Sequence, residues 1–139
     1  MKQEISALRR YGSIAIVQDE VPLKPLYWMG SSHAELNRLP KQVKREVGYA
    51  LCLAQPGQMH AASKPLKGFD GAGVLEVVSN FAGNAFRSVY TVRYLSAVYM
   101  LRAFQKKSKR GLQTPRLNLT LIRERLKQAE RHHAQQADQ

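Results

Sequence analysis

Apolar and polar positions follow two different periods along this chain. Between Val74 and Lys106, three runs rich in Val, Tyr, Phe and Leu are interrupted at Gly83-Asn84 and Ser96-Ala97. They predict a three-stranded antiparallel meander. Residues two apart share a strand face. One parity collects Leu75, Val77, Phe86, Tyr90, Val92, Tyr99, Leu101 and Ala103, with Ser88 as its small polar member, and is the predicted core face. The other collects Glu76, Arg87, Arg93, Arg102 and Lys106 among Val74, Val78, Val89, Met100 and Phe104, and is predicted to be open. A one-residue slip would bury the arginines, so the pattern opposes it.

Upstream, Lys24 to Met29 reads as a strand at a sheet edge, because Pro25 sits at its start. Gly30-Ser31 breaks it. Ser32 and Glu35 then have capping-box spacing and open a short helix through Leu39. Pro40 suits the first turn of a second helix. There Val43, Val47, Ala50, Leu51 and Ala54 recur at helical spacing, with Lys41, Lys44, Arg45 and Glu46 outward. Cys52 is read as a core residue of that helix. Gln55-Pro56-Gly57 stops it, and His60 to Gly73 reads as a loop.

After the meander, Ser108 to Gln113 forms a basic loop. Thr114 caps a last helix with Pro115 at its first position, and Leu119, Ile122, Leu126 and Ala129 form the buried stripe. The order β-α-α-β-β-β-α predicts an α+β fold, helices packed on a small antiparallel-rich sheet. Residues 1–23 read as an N-terminal extension, either a flexible arm or one carrying a short strand at Ser13–Val17. Residues 24–131 form the predicted domain, and 132–139 a polar tail that frays.

Charge changes the picture more than composition does. A chain of 139 residues supports one domain with its own core. Its net charge of +12 and isoelectric point near 10.2 favour a polyanion: nucleic acid, an acidic membrane surface or an acidic protein. From Val77 to Arg123 there is no Asp or Glu, while Arg87, Arg93, Arg102, Lys106, Lys107, Lys109, Arg110, Arg116 and Arg123 all fall there. No apolar run approaches the ~20 residues of a membrane span. Ile14 to Val17 is too short for a signal-peptide core, and the single cysteine, Cys52, fits a reducing compartment. A cytoplasmic location is expected, with no membrane partner. His33, His60, His132 and His133 have no zinc-like spacing with Cys52 or the acids. Gly68, Gly71 and Gly73 make no phosphate loop, because no Gly-Lys-Ser/Thr follows. No metal or cofactor is expected.

Four segments together resemble the RelE/ParE superfamily of bacterial toxins, and within it the phage-related HigB-like branch. They are Lys24-Pro25-Leu26-Tyr27-Trp28-Met29-Gly30-Ser31-Ser32, Lys64-Pro65-Leu66-Lys67-Gly68-Phe69, Phe86-Arg87-Ser88-Val89-Tyr90, and Ala103 to Lys109 leading to Thr114-Pro115. They come in the family's order and span Lys24 to Glu130. The resemblance implies a RelE-like fold and the toxin of a type II toxin–antitoxin system. Such a toxin is usually a metal-independent endoribonuclease cutting mRNA on the ribosome, restrained by an antitoxin that is often a helix-turn-helix protein. It maps catalysis onto Arg87 and onto Lys106 or Lys107. Relatives often carry an Arg two residues after the Glu of the first meander strand, where this chain has Glu76-Val77-Val78. No His or Tyr follows the last strand as a general acid or base, which leaves the chemistry either weaker or shifted onto lysine.

RNA can be cut by its own 2′-hydroxyl, so the protein must align the attack, stabilise charge on the phosphorane and move protons. Arg87 suits the charge role through its planar fork. Lys106 could protonate the leaving oxygen, and Glu76 could take the 2′-hydroxyl proton unless it only pairs with Arg87. Lys64, Lys67, Arg93, Arg102, Lys109 and Arg110 are candidate RNA contacts. By itself the run Lys106-Lys107-Ser108-Lys109-Arg110 is a solvated basic loop. Two other functions use the same cations: a nucleic-acid-binding module without activity, and a ParE-like inhibitor of a topoisomerase.

Overall fold

The computed structural model describes residues 22–106 and 116–137. The strand considered at Ser13–Val17, the cations Lys107, Lys109 and Arg110, and the cap at Thr114-Pro115 lie outside the described residues. Five strands form one sheet in the order β1-β5-β4-β3-β2. They are β1 (Leu26–Trp28), β2 (Ser63–Pro65), β3 (Val74–Phe81), β4 (Asn84–Tyr94) and β5 (Ala97–Lys106). Strand β1 pairs parallel to β5; the other pairings are antiparallel. The three helices are α1 (Ser32–Asn37), α2 (Lys41–Ala54) and α3 (Arg116–Ala137). The α+β class and the three-stranded meander are as expected. Strand β2 falls inside the predicted loop, where a three-residue Ser-Lys-Pro segment carries no alternation to announce it.

Both sheet faces are covered. On one, Val43, Val47, Ala50, Leu51 and Ala54 of α2 pack with Leu75, Val77, Phe86, Tyr90, Val98, Met100 and Ala103. On the other, Ile122 and Ala129 of α3, flanked by Leu119 and Leu126, pack with Leu66, Phe69, Val74, Val89, Tyr99 and Leu101. The predicted open face is therefore largely closed by α3. Strand β5 also carries a bulge: Val89 pairs with Arg102 and Tyr90 with Met100, leaving Leu101 as the extra residue. Below the bulge β5 reverses its parity, so Tyr99 and Leu101 face α3 and Met100 faces α2.

Two further expectations change. Cys52 is exposed rather than buried. Helix α3 continues to Ala137, past the expected boundary at Arg131, because His132 and His133 pack on tyrosines of the sheet.

The predicted capping box does not form. Ser31 is the N-cap of α1, and the Ser32 hydroxyl donates to the Met100 carbonyl at 3.2 Å. Glu35 turns inward instead. Its Oε1 accepts from Arg125 Nη1 at 2.8 Å and from the Ala103 N–H at 3.2 Å, and its Oε2 pairs with Arg102 Nη1 at 2.7 Å. Arg125 also donates to the Leu101 carbonyl at 2.8 Å. Strand β1 pairs with β5 only as far as Met100, so these side chains satisfy the backbone of β5 beyond it.

Candidate nucleic-acid interface

The register of β3, β4 and β5 places Glu76, Arg87, Arg102 and Lys106 on the α3 side of the sheet. Glu76 lies opposite Val89, which lies opposite Arg102; Arg87 lies opposite Val78 on one side and Phe104 on the other. Lys106 follows two residues after Phe104 and shares its face. Lys64 of β2 is opposite Glu76 and is exposed. Lys67 is exposed in the turn that follows β2, near Phe69, whose ring lies 5.1 Å from the Arg123 guanidinium.

Inside this group Arg87 Nη1 donates to Glu76 Oε2 at 2.6 Å, and the two residues are only 5% and 6% exposed. A buried carboxylate–guanidinium pair shares its sheet face with the exposed Lys64 and the half-buried Lys106. Arg102 is half-buried and already engaged: Nε donates to Asn118 Oδ1 at 3.1 Å, Nη1 pairs with Glu35, and its guanidinium stands 5.3 Å from the Phe104 ring. Asn118 belongs to the first turn of α3, so the positive end of that helix dipole adds to the same region. The sequence expectation of cations sharing a face with Glu76 fits this geometry. The expectation of an open face at Arg87 does not, because strand parity reports direction and not what covers it.

Arg93 is set apart. It is exposed six residues further along β4, over the ring of Tyr94 at 5.8 Å, ~20 Å from Arg87 at the rise of a strand. Among the described residues no group of three or more His, Cys, Asp or Glu is placed to hold a metal ion. Nor is any described helix long and apolar enough to cross a membrane.

Residues 34–127 match the model of a family described as Phage derived protein Gp49-like (DUF891), over more than half of the chain. The chain belongs to the Gp49-like family. That family is part of the RelE/HigB-like toxin superfamily. The matched span includes Glu76, Arg87, Arg102 and Lys106, together with Glu35 and Arg125, so the candidate site and the buried ion cluster both fall inside the Gp49-like region. A comparison with curated proteins finds no match.

The sequence reading missed the Glu35–Arg125 partnership. A signal was present: Arg125 falls three residues after Ile122 and four before Ala129, on the buried stripe of α3. An arginine there needs a carboxylate partner, and burial of Glu35 supplies it. Burial alone would raise the Glu35 pKa. Hydrogen bonds from Arg125, the Ala103 N–H and Ser31, with the charge of Arg102, outweigh it and hold the carboxyl below its ordinary range.

Proposed function

We propose that this Gp49-like chain is the toxin of a toxin–antitoxin pair and acts as a metal-independent endoribonuclease on mRNA, at the ribosome, in the cytoplasm. The observation that supports the reading is that Lys64, Lys106 and the Glu76–Arg87 pair share one sheet face. In this reading the lysines meet the RNA phosphates first. Arg87 fixes Glu76 through Oε2, so that Oε1 is the oxygen that takes the 2′-hydroxyl proton. The attack forms the bond from the 2′-oxygen to phosphorus and breaks the bond to the 5′-oxygen. Lys106 at the end of β5 stabilises the phosphorane and protonates that leaving oxygen. Lys107, Lys109 and Arg110 extend the cationic run in sequence. A helix-turn-helix antitoxin is the proposed protein partner.

Primer extension on message in a translating extract tests this. The chain should produce new 5′ ends, and the Arg87→Ala, Lys106→Ala double variant should not. Intact message with the wild-type chain would overturn the proposal.

The burial of Arg87 and Glu76 favours one competing reading, in which that pair is structural and the exposed lysines bind RNA without cutting it. Under that reading RNA binding persists without turnover. Its log–log salt slope would be about −0.7 per phosphate neutralised on a single strand.

A further inference from the structure

A second cleft lies at the opposite end of β5, between the β4–β5 turn, β1 and the last turns of α3. It is lined by Tyr27, Ser96, Ala97, Tyr99, His133 and Gln136 and has a volume of about 280 Å³. We propose that this cleft takes one unpaired nucleobase of an RNA strand; the proposal rests on the RNA-acting reading above.

Its walls are set before any ligand arrives. The rings of Tyr27 and Tyr99 stack with centroids 5.3 Å apart. The Tyr99 hydroxyl is hydrogen-bonded to His132 Nδ1 at 2.8 Å, and His133 stacks on Tyr94 at 4.1 Å. A volume of about 280 Å³ admits a one- or two-ring molecule. The Ser96 hydroxyl, the Gln136 amide and the His133 imidazole supply both donors and acceptors around the aromatic surface. Tyr99 is fully buried and belongs to the packing of the wall, so the half-buried Tyr27 and His133 supply the ring surface that a ligand can reach. An unpaired base needs both features, since it stacks on tyrosine or histidine and is read along its edges.

The charged groups beside the neighbouring Tyr94 are of both signs, Arg93 and Glu130, so the choice of a base carried on RNA rests on the RNA-acting reading and the whole-chain charge. The Arg93 guanidinium stands 5.8 Å from the ring of Tyr94, which stacks on the cleft residue His133, in a chain of net charge +12. Leu95, 92% exposed at the tip of the adjoining turn, extends the apolar surface. Lys106 is nine residues along β5 from Ala97, or ~30 Å, so this is not the proposed cleavage site. A strand seated in both would be held at two points.

The test is amide chemical-shift mapping on the full chain, with adenosine, uridine and a short 2′-O-methylated RNA that cannot be cut. The proposal expects the Ser96, Ala97 and Gln136 amides to move with the RNA and with at least one nucleoside. It also expects the His133→Ala, Gln136→Ala double variant to bind that nucleoside about tenfold more weakly. Should the double variant not fold, the exposed Gln136→Ala carries the same comparison. RNA that binds while the cleft amides stay still overturns the proposal and leaves the nuclease reading intact. A nucleoside that fills the cleft while RNA does not bind supports the cleft and counts against that reading. No binding by any probe overturns both.

Discussion

Glu35 on α1 accepts a 2.8 Å hydrogen bond from Arg125 on α3, joining residues ninety positions apart in the chain. With Arg102 the carboxylate serves two buried or half-buried guanidiniums, and it also receives the Ala103 N–H. Helix α3, strand β5 and helix α1 are therefore fixed together by one side chain. Removing it strands charges inside the protein, which is the costly way to break a buried ion pair.

Glu35→Gln should destabilise the fold by ~3–5 kcal/mol in urea unfolding. Its effect on pH dependence follows from the lowered carboxyl pKa. The unfolded chain takes up the proton near the ordinary value of 4.5 and the folded chain only below it. The contribution is therefore fully present above about that pH and is lost as pH falls through the folded value. Thermal melts of the wild type should show a loss on acidification that the variant lacks; identical profiles would contradict the assignment.

Gly30 is required by Arg125. Its φ is +53°, and a Cβ there would stand 2.8 Å from Arg125 Nε. Gly30→Ala should cost ~1–3 kcal/mol from the left-handed backbone alone. A double-mutant cycle with Arg125→Ala isolates the steric part, and a coupling of at least ~0.5 kcal/mol is expected. Strict additivity would show that the guanidinium is not what excludes the methyl group.

Tyr99 should resist ionisation. Burial, then the neighbouring Tyr27 and Tyr94, push its hydroxyl up to about 12. The unfolded chain ionises near 10, so this stabilisation is complete below that pH and disappears as pH rises through about 12. Ultraviolet tyrosinate titration of wild type against Tyr99→Phe should show one late-titrating group missing from the variant.

Lys64 should act as a phosphate contact. Lys64→Ala is expected to leave the fold intact, since the side chain is exposed, and to reduce the salt slope of single-strand RNA binding by ~0.7. An unchanged slope would remove Lys64 from the interface.

The buried face of α2 was legible in the sequence because Val43, Val47, Ala50, Leu51 and Ala54 obey a single period, and all five are buried. The placement of Glu76, Arg87, Arg102 and Lys106 on one sheet face was legible for the same reason on β3, β4 and the upper part of β5. What escaped depends on contacts between distant segments. The bulge at Leu101 leaves no mark in local alternation, so the parity of Tyr99 and Met100 was read the wrong way round. Glu35 matched a local capping pattern, yet a buried arginine ninety residues away outcompeted the helix terminus for its carboxylate. Strand β2 is three residues long and exists because β3 offers it an edge.

The most direct test of the central claim is to identify the RNA ends that the purified chain produces on message held by translating ribosomes. Attack by the RNA's own 2′-hydroxyl, with Glu76 and Lys106 moving the protons, requires a 2′,3′-cyclic phosphate on one fragment and a 5′-hydroxyl on the other. Glu76→Gln and Lys106→Ala should each suppress both ends together. Fragments carrying 5′-phosphates, or RNA that stays whole on the ribosome as well as in solution, would contradict the account.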